Sequence, residues 1–251
     1  MGRKLLVFDV GNSRLKAALY DDDCLIARVS IGGVQDATQV VNVLKSRFAP
    51  RETPDYCLIA SVVRGADEMI HKAVQTVWGL MPQVVDTDID LGIDVAVSRP
   101  DYVGIDRLLQ ASEAFRVCGE SVVVAAFGSA LTVDLVTADG VFSGGTIAPG
   151  LGMGLRALHD KTSLLPQVTL QPPDSAVGTD TVSCIQAGVI YGAAGAVERL
   201  FSELAPDGRA TLVLTGGDAE VIAPFINYPH RVEPDLVMRA LVSLGRRIFD
   251  H

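Results

Sequence analysis

The chain has 251 residues, 49% of them hydrophobic, and a formal net charge of −9 at pH 7. That length allows one large domain or two of about 120 residues each, and the apolar content is ample for two cores. The negative balance argues against a nucleic-acid-binding surface, which needs a basic face.

The N-terminal Met1-Gly2-Arg3-Lys4 runs directly into an apolar strand at 5–8, too short to serve as the apolar region of a signal peptide. Residues 15–20 read as the returning strand, so Gly11-Asn12-Ser13 between them is a tight turn. Gly11 lets the backbone approach a ligand closely, and its neighbouring amides with Asn12, Ser13 and Lys16 can point at phosphate oxygens. Asp9, at the end of the first strand, is suited to holding Mg²⁺ directly or through water. Taken alone, Asp-x-Gly-Asn is equally an ordinary hairpin turn.

Helical spacing follows over 34–48, ending near Pro50, then a strand at 56–62, a helix at 66–78 and a short strand from 84. The acidic residues Asp86, Asp88, Asp90 and Asp94 lack the glycine and terminal glutamate of a calcium loop and read as a solvated surface. Arg99-Pro100-Asp101-Tyr102-Val103-Gly104-Ile105-Asp106-Arg107 leads into an alanine-rich helix at 108–117. Gly104 places the Asp106-Arg107 pair at or near a helix start. There Asp106 either caps the helix or acts as a general base beside a bound hydroxyl, with Arg107 taking an anionic substrate group.

A second copy of the opening pattern follows the strand at 121–125: Ala126-Phe127-Gly128-Ser129-Ala130-Leu131-Thr132, leading into a strand at 133–136. Aligning Gly11 with Gly128 sets Asp9 opposite Ala126, so the second acid is missing. The repeat, about half a chain later, predicts two related lobes, 1–117 and 118–251. Gly144-Gly145-Thr146-Ile147-Ala148-Pro149-Gly150 reads as a turn and short strand entering a helix at 151–159, and 160–180, with Pro166, Pro172 and Pro173, as an extended surface loop. A long helix at 181–204 carries Gly188, Gly192 and Gly195, small residues that permit close helix packing, including packing between subunits. A third glycine-rich turn, Thr215-Gly216-Gly217-Asp218, follows a strand at 211–214 and precedes a helix at 219–225; a final helix spans 234–249.

Cys24, Cys57, Cys118 and Cys184 form no metal-ligand pair and read as reduced, mostly buried thiols of a cytosolic enzyme. None of His71, His159, His230 and His251 neighbours another ligand or nucleophile. No apolar run reaches the ~18 residues needed to span a bilayer, so the expectation is a soluble, cytoplasmic protein without membrane or nucleic-acid partners.

Together, Asp9-Val10-Gly11-Asn12-Ser13, Gly104-Ile105-Asp106-Arg107, Gly128-Ser129-Ala130-Leu131-Thr132, Gly144-Gly145-x-Ile147-x-Pro149-Gly150, Leu165-Pro166, Gly178-x-x-Thr181 and Thr215-Gly216-Gly217-Asp218 resemble type III pantothenate kinase over nearly the whole chain. The resemblance implies the α/β fold of acetate and sugar kinases, heat-shock chaperone ATPases and actin: two ribonuclease H-like lobes with a nucleotide cleft between them. It also implies a homodimer that phosphorylates pantothenate with ATP and a divalent metal such as Mg²⁺, the first step of coenzyme A synthesis. By position, Asp9, Gly11, Asn12, Ser13 and Lys16 match the first phosphate motif, with Asp9 on the divalent metal, and Thr132 matches the second. Asp106 matches the proton acceptor, Gly104, Ile105 and Arg107 the pantothenate pocket, Thr181 a substrate contact from the dimer partner, and Gly216 and Gly217 the adenosine-side turn.

The resemblance has one departure. Its second phosphate motif usually begins with an aspartate that binds a monovalent cation, K⁺ or NH₄⁺, and here that position is Ala126. Ser129 also stands where threonine is usual. A hairpin centred on Ala130 would set Asp134 opposite position 126, but an acid there is common in the family and does not establish compensation. Three readings follow: a pantothenate kinase with a lost or altered monovalent-cation requirement, a kinase of another small hydroxy acid, and a catalytically silent nucleotide-binding regulatory paralogue. A sugar kinase or polyphosphatase of the same superfold usually needs a longer chain.

Overall fold

A computed structural model describes residues 3–32, 36–48 and 53–249. Val34, Gln35, Pro50 and His251, which enter the sequence reading, lie outside the described residues. The chain divides into two compact units, Met1–Leu91 with Arg99–Glu113 and Val237–His251, and Gly92–Ser98 with Ala114–Leu236. A single division at 117/118 differs from this arrangement chiefly because the last helix packs with the first unit.

In that first unit β1 (Lys4–Val10) turns into β2 (Arg14–Asp21) and β3 (Cys24–Gly32) as an antiparallel meander. α1 (Ala37–Arg47) then crosses to β4 (Tyr56–Ser61), which lies parallel to β1, and α2 (Ala66–Trp78) to β5 (Gln83–Val84). The sheet order is β3-β2-β1-β4-β5. Side chains alternate along a strand, and Leu6, Phe8 and Val10 of β1 join Ile59, Val40, Leu44, Ile70 and Val74 in one core on the α1 and α2 side. Asp36 caps α1 by accepting from the Gln39 amide at 2.8 Å.

The opposite face of this sheet receives the last helix, α7 (Leu236–Phe249), where Gly245 lies directly on the Leu5 side chain. Phe249 stacks on Tyr56 with ring centroids 4.1 Å apart. α3 (Ile105–Cys118) belongs to this unit as far as Glu113.

The second unit repeats the plan. β7 (Val122–Phe127), β8 (Ala130–Val136) and β9 (Val141–Pro149) form a meander. After α4 (Leu151–Asp160) and α5 (Thr181–Leu204), β10 (Thr211–Thr215) returns parallel to β7. The short α6 (Ala219–Ile222) and a 3₁₀ turn at Ala223–Phe225 lead to β11 (His230–Val232). With β6 (Asp94–Val95) added outside β9, the order is β11-β10-β7-β8-β9-β6. Ala125, Phe127, Leu131, Val133, Leu212 and Leu214 pack against Ile190, Val197 and Phe201 of α5, so Ala126, Thr132 and Thr215 point to the other face.

The helices at 66–78 and 181–204 have the expected bounds, whereas the helix expected at 219–225 is α6 followed by a 3₁₀ turn, because Pro224 removes a backbone donor. Two thiol expectations change. Only Cys57 is buried, while Cys24 opens an edge strand and Cys184 sits on the first turn of α5, both exposed. Among the described residues, no helix is long and apolar enough to cross a membrane.

Candidate functional site

In the first hairpin the Gly11 amide donates to the Arg14 carbonyl at 3.0 Å, closing the turn and leaving Asn12 and Ser13 exposed at its tip. Asp9 pairs with Lys16 across β1 and β2 and with Ala60 across β1 and β4. Lys16 Nζ stands 3.9 Å from Asp9 Oδ2, with 18% of the Asp9 side chain exposed. A carboxylate, an ammonium and a ring of turn amides therefore share one strand end. This donor set suits a hard divalent cation and the phosphate oxygens around it.

Asp106 and Arg107 occupy the first turn of α3, as the glycine before them predicts. The Arg107 amide donates to Asp106 Oδ1 at 2.9 Å and to the Gly104 carbonyl at 3.0 Å. A Cβ on Gly104 would stand 2.6 Å from Asp106 Oδ1, so only glycine leaves this carboxylate its place. Ile105 is buried beneath the pair. Ahead of it, a 3₁₀ turn at Pro100–Tyr102 holds Arg99 against Asp101 at 3.2 Å and over the Tyr102 ring at 4.0 Å. Hydrogen bonds that Arg99 donates to Asp101, and its side-chain contact with Tyr102, raise its already high pKa, so it stays a cation.

In the second unit three turns are fastened together. The Gly150 amide donates to the Ser129 carbonyl at 3.2 Å, and the Asp218 amide donates to the Phe127 carbonyl at 3.2 Å. A side chain at Gly150 would stand 2.6 Å from that Ser129 oxygen, and one at Gly216 2.7 Å from the Phe127 carbonyl carbon. Gly216 also has φ +94°, a left-handed conformation that favours glycine. Gly217 is exposed with open space around it, so its backbone is approachable. The Asp218 carboxyl beside it is half-buried, and that burial raises its pKa.

The register of this hairpin corrects one expectation. Gly128 N–H donates to the Ala130 carbonyl at 3.0 Å, a turn one residue tighter than the first. Thr132, not Asp134, therefore stands opposite Ala126, and Asp134 stands opposite Val124. On its other side Ala126 pairs with Thr215, the buried first residue of the third glycine-rich turn, whose place beside position 126 the sequence does not announce. Thr132 Oγ1 is buried and has no hydrogen-bond partner among the described residues.

Thr181 is the first residue of α5, whose N-cap Asp180 accepts from the Val182 and Ser183 amides. It lines a cavity of about 520 Å³ with Leu158, Leu165, Cys184, Ile185, Gly188 and Val189. A Cβ added at Gly188, Gly192 or Gly195 would meet open space among the described residues outside the helix's own backbone, so this stripe is not held against another described element. His71, His159 and His230 each make a local hydrogen bond, His159 Nδ1 lying 2.9 Å from the Leu165 carbonyl.

A family model for type III pantothenate kinase matches residues 5–203. A curated type III pantothenate kinase of Roseiflexus sp. (strain RS-1) is 36% identical over 246 residues, covering 94% of this chain and 96% of that protein. Among solved structures, a Baf-family protein of Campylobacter jejuni superposes with TM-score 0.62 at 19% identity, covering 98% of this chain and 100% of its own. The polyphosphate/ATP-glucomannokinase of Arthrobacter sp. strain KM superposes with TM-score 0.51 at 14% identity, covering 99% and 100%. The fold is thus an α/β fold shared with the glucomannokinase, and the chain belongs to the type III pantothenate kinase family.

Proposed function

We propose that this chain transfers the terminal phosphoryl group of ATP to the primary hydroxyl of pantothenate, giving 4′-phosphopantothenate, the first step of coenzyme A synthesis. The observation that carries the reading is the Asp106-Arg107 pair in the first turn of α3, its carboxylate accommodated by Gly104, in a chain of this family.

Phosphoryl transfer asks a protein for alignment and charge neutralisation. Asp9 holds the divalent cation, and the metal supplies neutralisation of the phosphate charge when bound. With Gly11 closing the turn, Asn12 and Ser13 donate amide and side-chain hydrogen bonds to phosphate oxygens, and Lys16 adds a cation. In the second unit Thr132 donates to phosphate, and the Gly216-Gly217 turn accepts the adenosine part closely because no side chain intervenes.

Asp106 accepts the hydroxyl proton of pantothenate as the new P–O bond forms. A base in this role contributes about 10² to 10⁴ in rate. Arg107 pairs with the substrate carboxylate, a charge-assisted contact of the stronger kind, and Ile105 and Gly104 shape the pocket.

The active form we propose is a cytoplasmic homodimer in which Thr181 of α5 serves the partner's substrate. Support comes from the open glycine stripe of α5 and from exposed Val182 and Tyr191 on the same helix. Sedimentation tests it, a monomer at micromolar concentration contradicting the dimer. The substrate assignment is tested by offering pantothenate and related hydroxy acids with Mg-ATP and identifying products by mass. Turnover of pantothenate well above the others is expected, and preference for another hydroxy acid would overturn it.

A further inference from the structure

The two hairpins occupy equivalent places in two sheets of the same topology, so their end rungs can be compared residue by residue. In the first unit the rung is Lys16–Asp9–Ala60, and in the second it is Thr132–Ala126–Thr215. Each centre residue lies two positions before the turn glycine, Gly11 or Gly128. One rung is charged. The other presents a methyl group between two hydroxyl-bearing residues.

Paired residues on neighbouring strands project to the same face, and this is the face turned away from the α5 core. Ala126, Thr132 and Thr215 are 7%, 9% and 2% exposed, so the rung is almost closed to bulk water. Within it Thr132 Oγ1 has no hydrogen-bond partner among the described residues. A buried hydroxyl left unpaired is destabilising, a cost that a ligand oxygen in the rung would remove. Asp134 lies on the same face two residues further along β8, about 7 Å away at strand spacing. Its Oδ1 would lie 2.6 Å from a Cβ on Gly145, against which it is packed.

A monovalent cation at position 126, which the family resemblance implies, does not fit this rung. Two neutral hydroxyls and a methyl supply no charge to offset dehydration of the ion, and Asp134 belongs to the next rung. An anionic oxygen does fit. The hydroxyl of Thr132 can donate to it, and the absence of a carboxylate removes a repulsion that a cation would otherwise have to screen.

We propose that the Thr132–Ala126–Thr215 rung, the uncharged seat of the Thr132–phosphate contact described above, holds no monovalent cation, and that nucleotide binding by this chain needs none. This rests on the ATP-dependent reading above.

The test is calorimetric titration of the full chain with the ATP analogue AMPPNP and Mg²⁺ at constant ionic strength, in KCl and in choline chloride. The dissociation constants should agree within about twofold, and a severalfold tighter value in KCl would overturn the proposal. Thr132→Val replaces the unpaired hydroxyl by a methyl of equal size. It should keep or raise the melting temperature of the ligand-free protein while weakening AMPPNP about tenfold or more; unchanged affinity would overturn the seat. Ala126→Asp should bind AMPPNP weakly in choline and recover in KCl, and equal affinity of this folded variant in both salts would count against it. Product formation that requires K⁺ would sink this inference and leave the kinase assignment intact. Salt-independent binding without pantothenate turnover would do the reverse.

Discussion

Ser243 of α7 donates its hydroxyl to Oε2 of Glu113 on α3 at 3.0 Å, while Arg239, one turn earlier on α7, places Nε 3.4 Å from Oε1 of the same carboxylate. Glu113 is 1% exposed and lies two helical turns after Asp106, so the last helix grips the helix whose first turn carries the proposed base. Ser112 and Arg247 extend the grip to the backbone carbonyls of Leu91 and Asp90.

Removing one partner of a buried carboxylate leaves a charge without compensation. Arg239 is itself partly exposed, which reduces the loss. Arg239→Ala should lower unfolding free energy by about 2–4 kcal/mol, and Ser243→Ala by about 1–2 kcal/mol. Urea denaturation checks both, and the double variant should lose less than the sum because both act on Glu113.

Gly216 and Gly217 should part company. Gly216→Ala forces a left-handed residue against the Phe127 carbonyl and should cost at least about 2 kcal/mol of stability. Gly217→Ala meets open space and should fold as the parent does. A severalfold weaker affinity for nucleotide in Gly217→Ala would therefore report a close approach of ligand to that backbone, measured by titration against the parent protein.

The cysteines give a solvent-side check on the packing. Burial pushes the Cys57 thiol far above its ordinary value, and burial also raises that of Cys118. A thiol reagent at pH 8 should label Cys24 and Cys184 quickly, Cys118 slowly and Cys57 only after denaturation, as peptide mapping would reveal.

How much of this was open to a reader of the sequence depended on the range of the interaction. α2 and α5 are long enough for their apolar spacing to declare their bounds, and Gly104 announced the helix start that carries Asp106. β3 was not foreseen because it is an edge strand with exposed and half-buried residues alternating, and β11 because three residues make no pattern. The hairpin register at Ala126 turns on one hydrogen bond, Gly128 to Ala130, which shifts every partner along β8 by one relative to the first hairpin and by two relative to a hairpin centred on Ala130. Thr215 is legible as the start of a glycine-rich turn, but its place beside Ala126 is not, because it arises from pairing between strands far apart in the chain. The return of α7 to the first unit likewise rests on contacts such as Leu5 with Gly245, beyond any local pattern.

Asp180 gives a pH prediction with a definite sign. The hydrogen bonds from Ser183, backbone first and then hydroxyl, lower its pKa below the ordinary 3.8. A carboxylate favoured in the folded state adds stability above its unfolded value, and that contribution is lost as the pH falls through the lower folded value. Asp180→Asn should therefore reduce the melting temperature at neutral pH, and the difference from the parent should close only below about pH 4. Melting curves from pH 7 down to pH 3 check it.

The central claim is phosphoryl transfer from ATP to pantothenate with Asp106 as proton acceptor. Mass-spectrometric detection of 4′-phosphopantothenate from pantothenate and Mg-ATP, comparing the parent chain with Asp106→Asn, tests it directly. The account predicts one product per ADP formed, a rate lower by about 10² to 10⁴ in the variant, and unchanged nucleotide affinity. Nucleotide binding without product, or full product formation by Asp106→Asn, would contradict it.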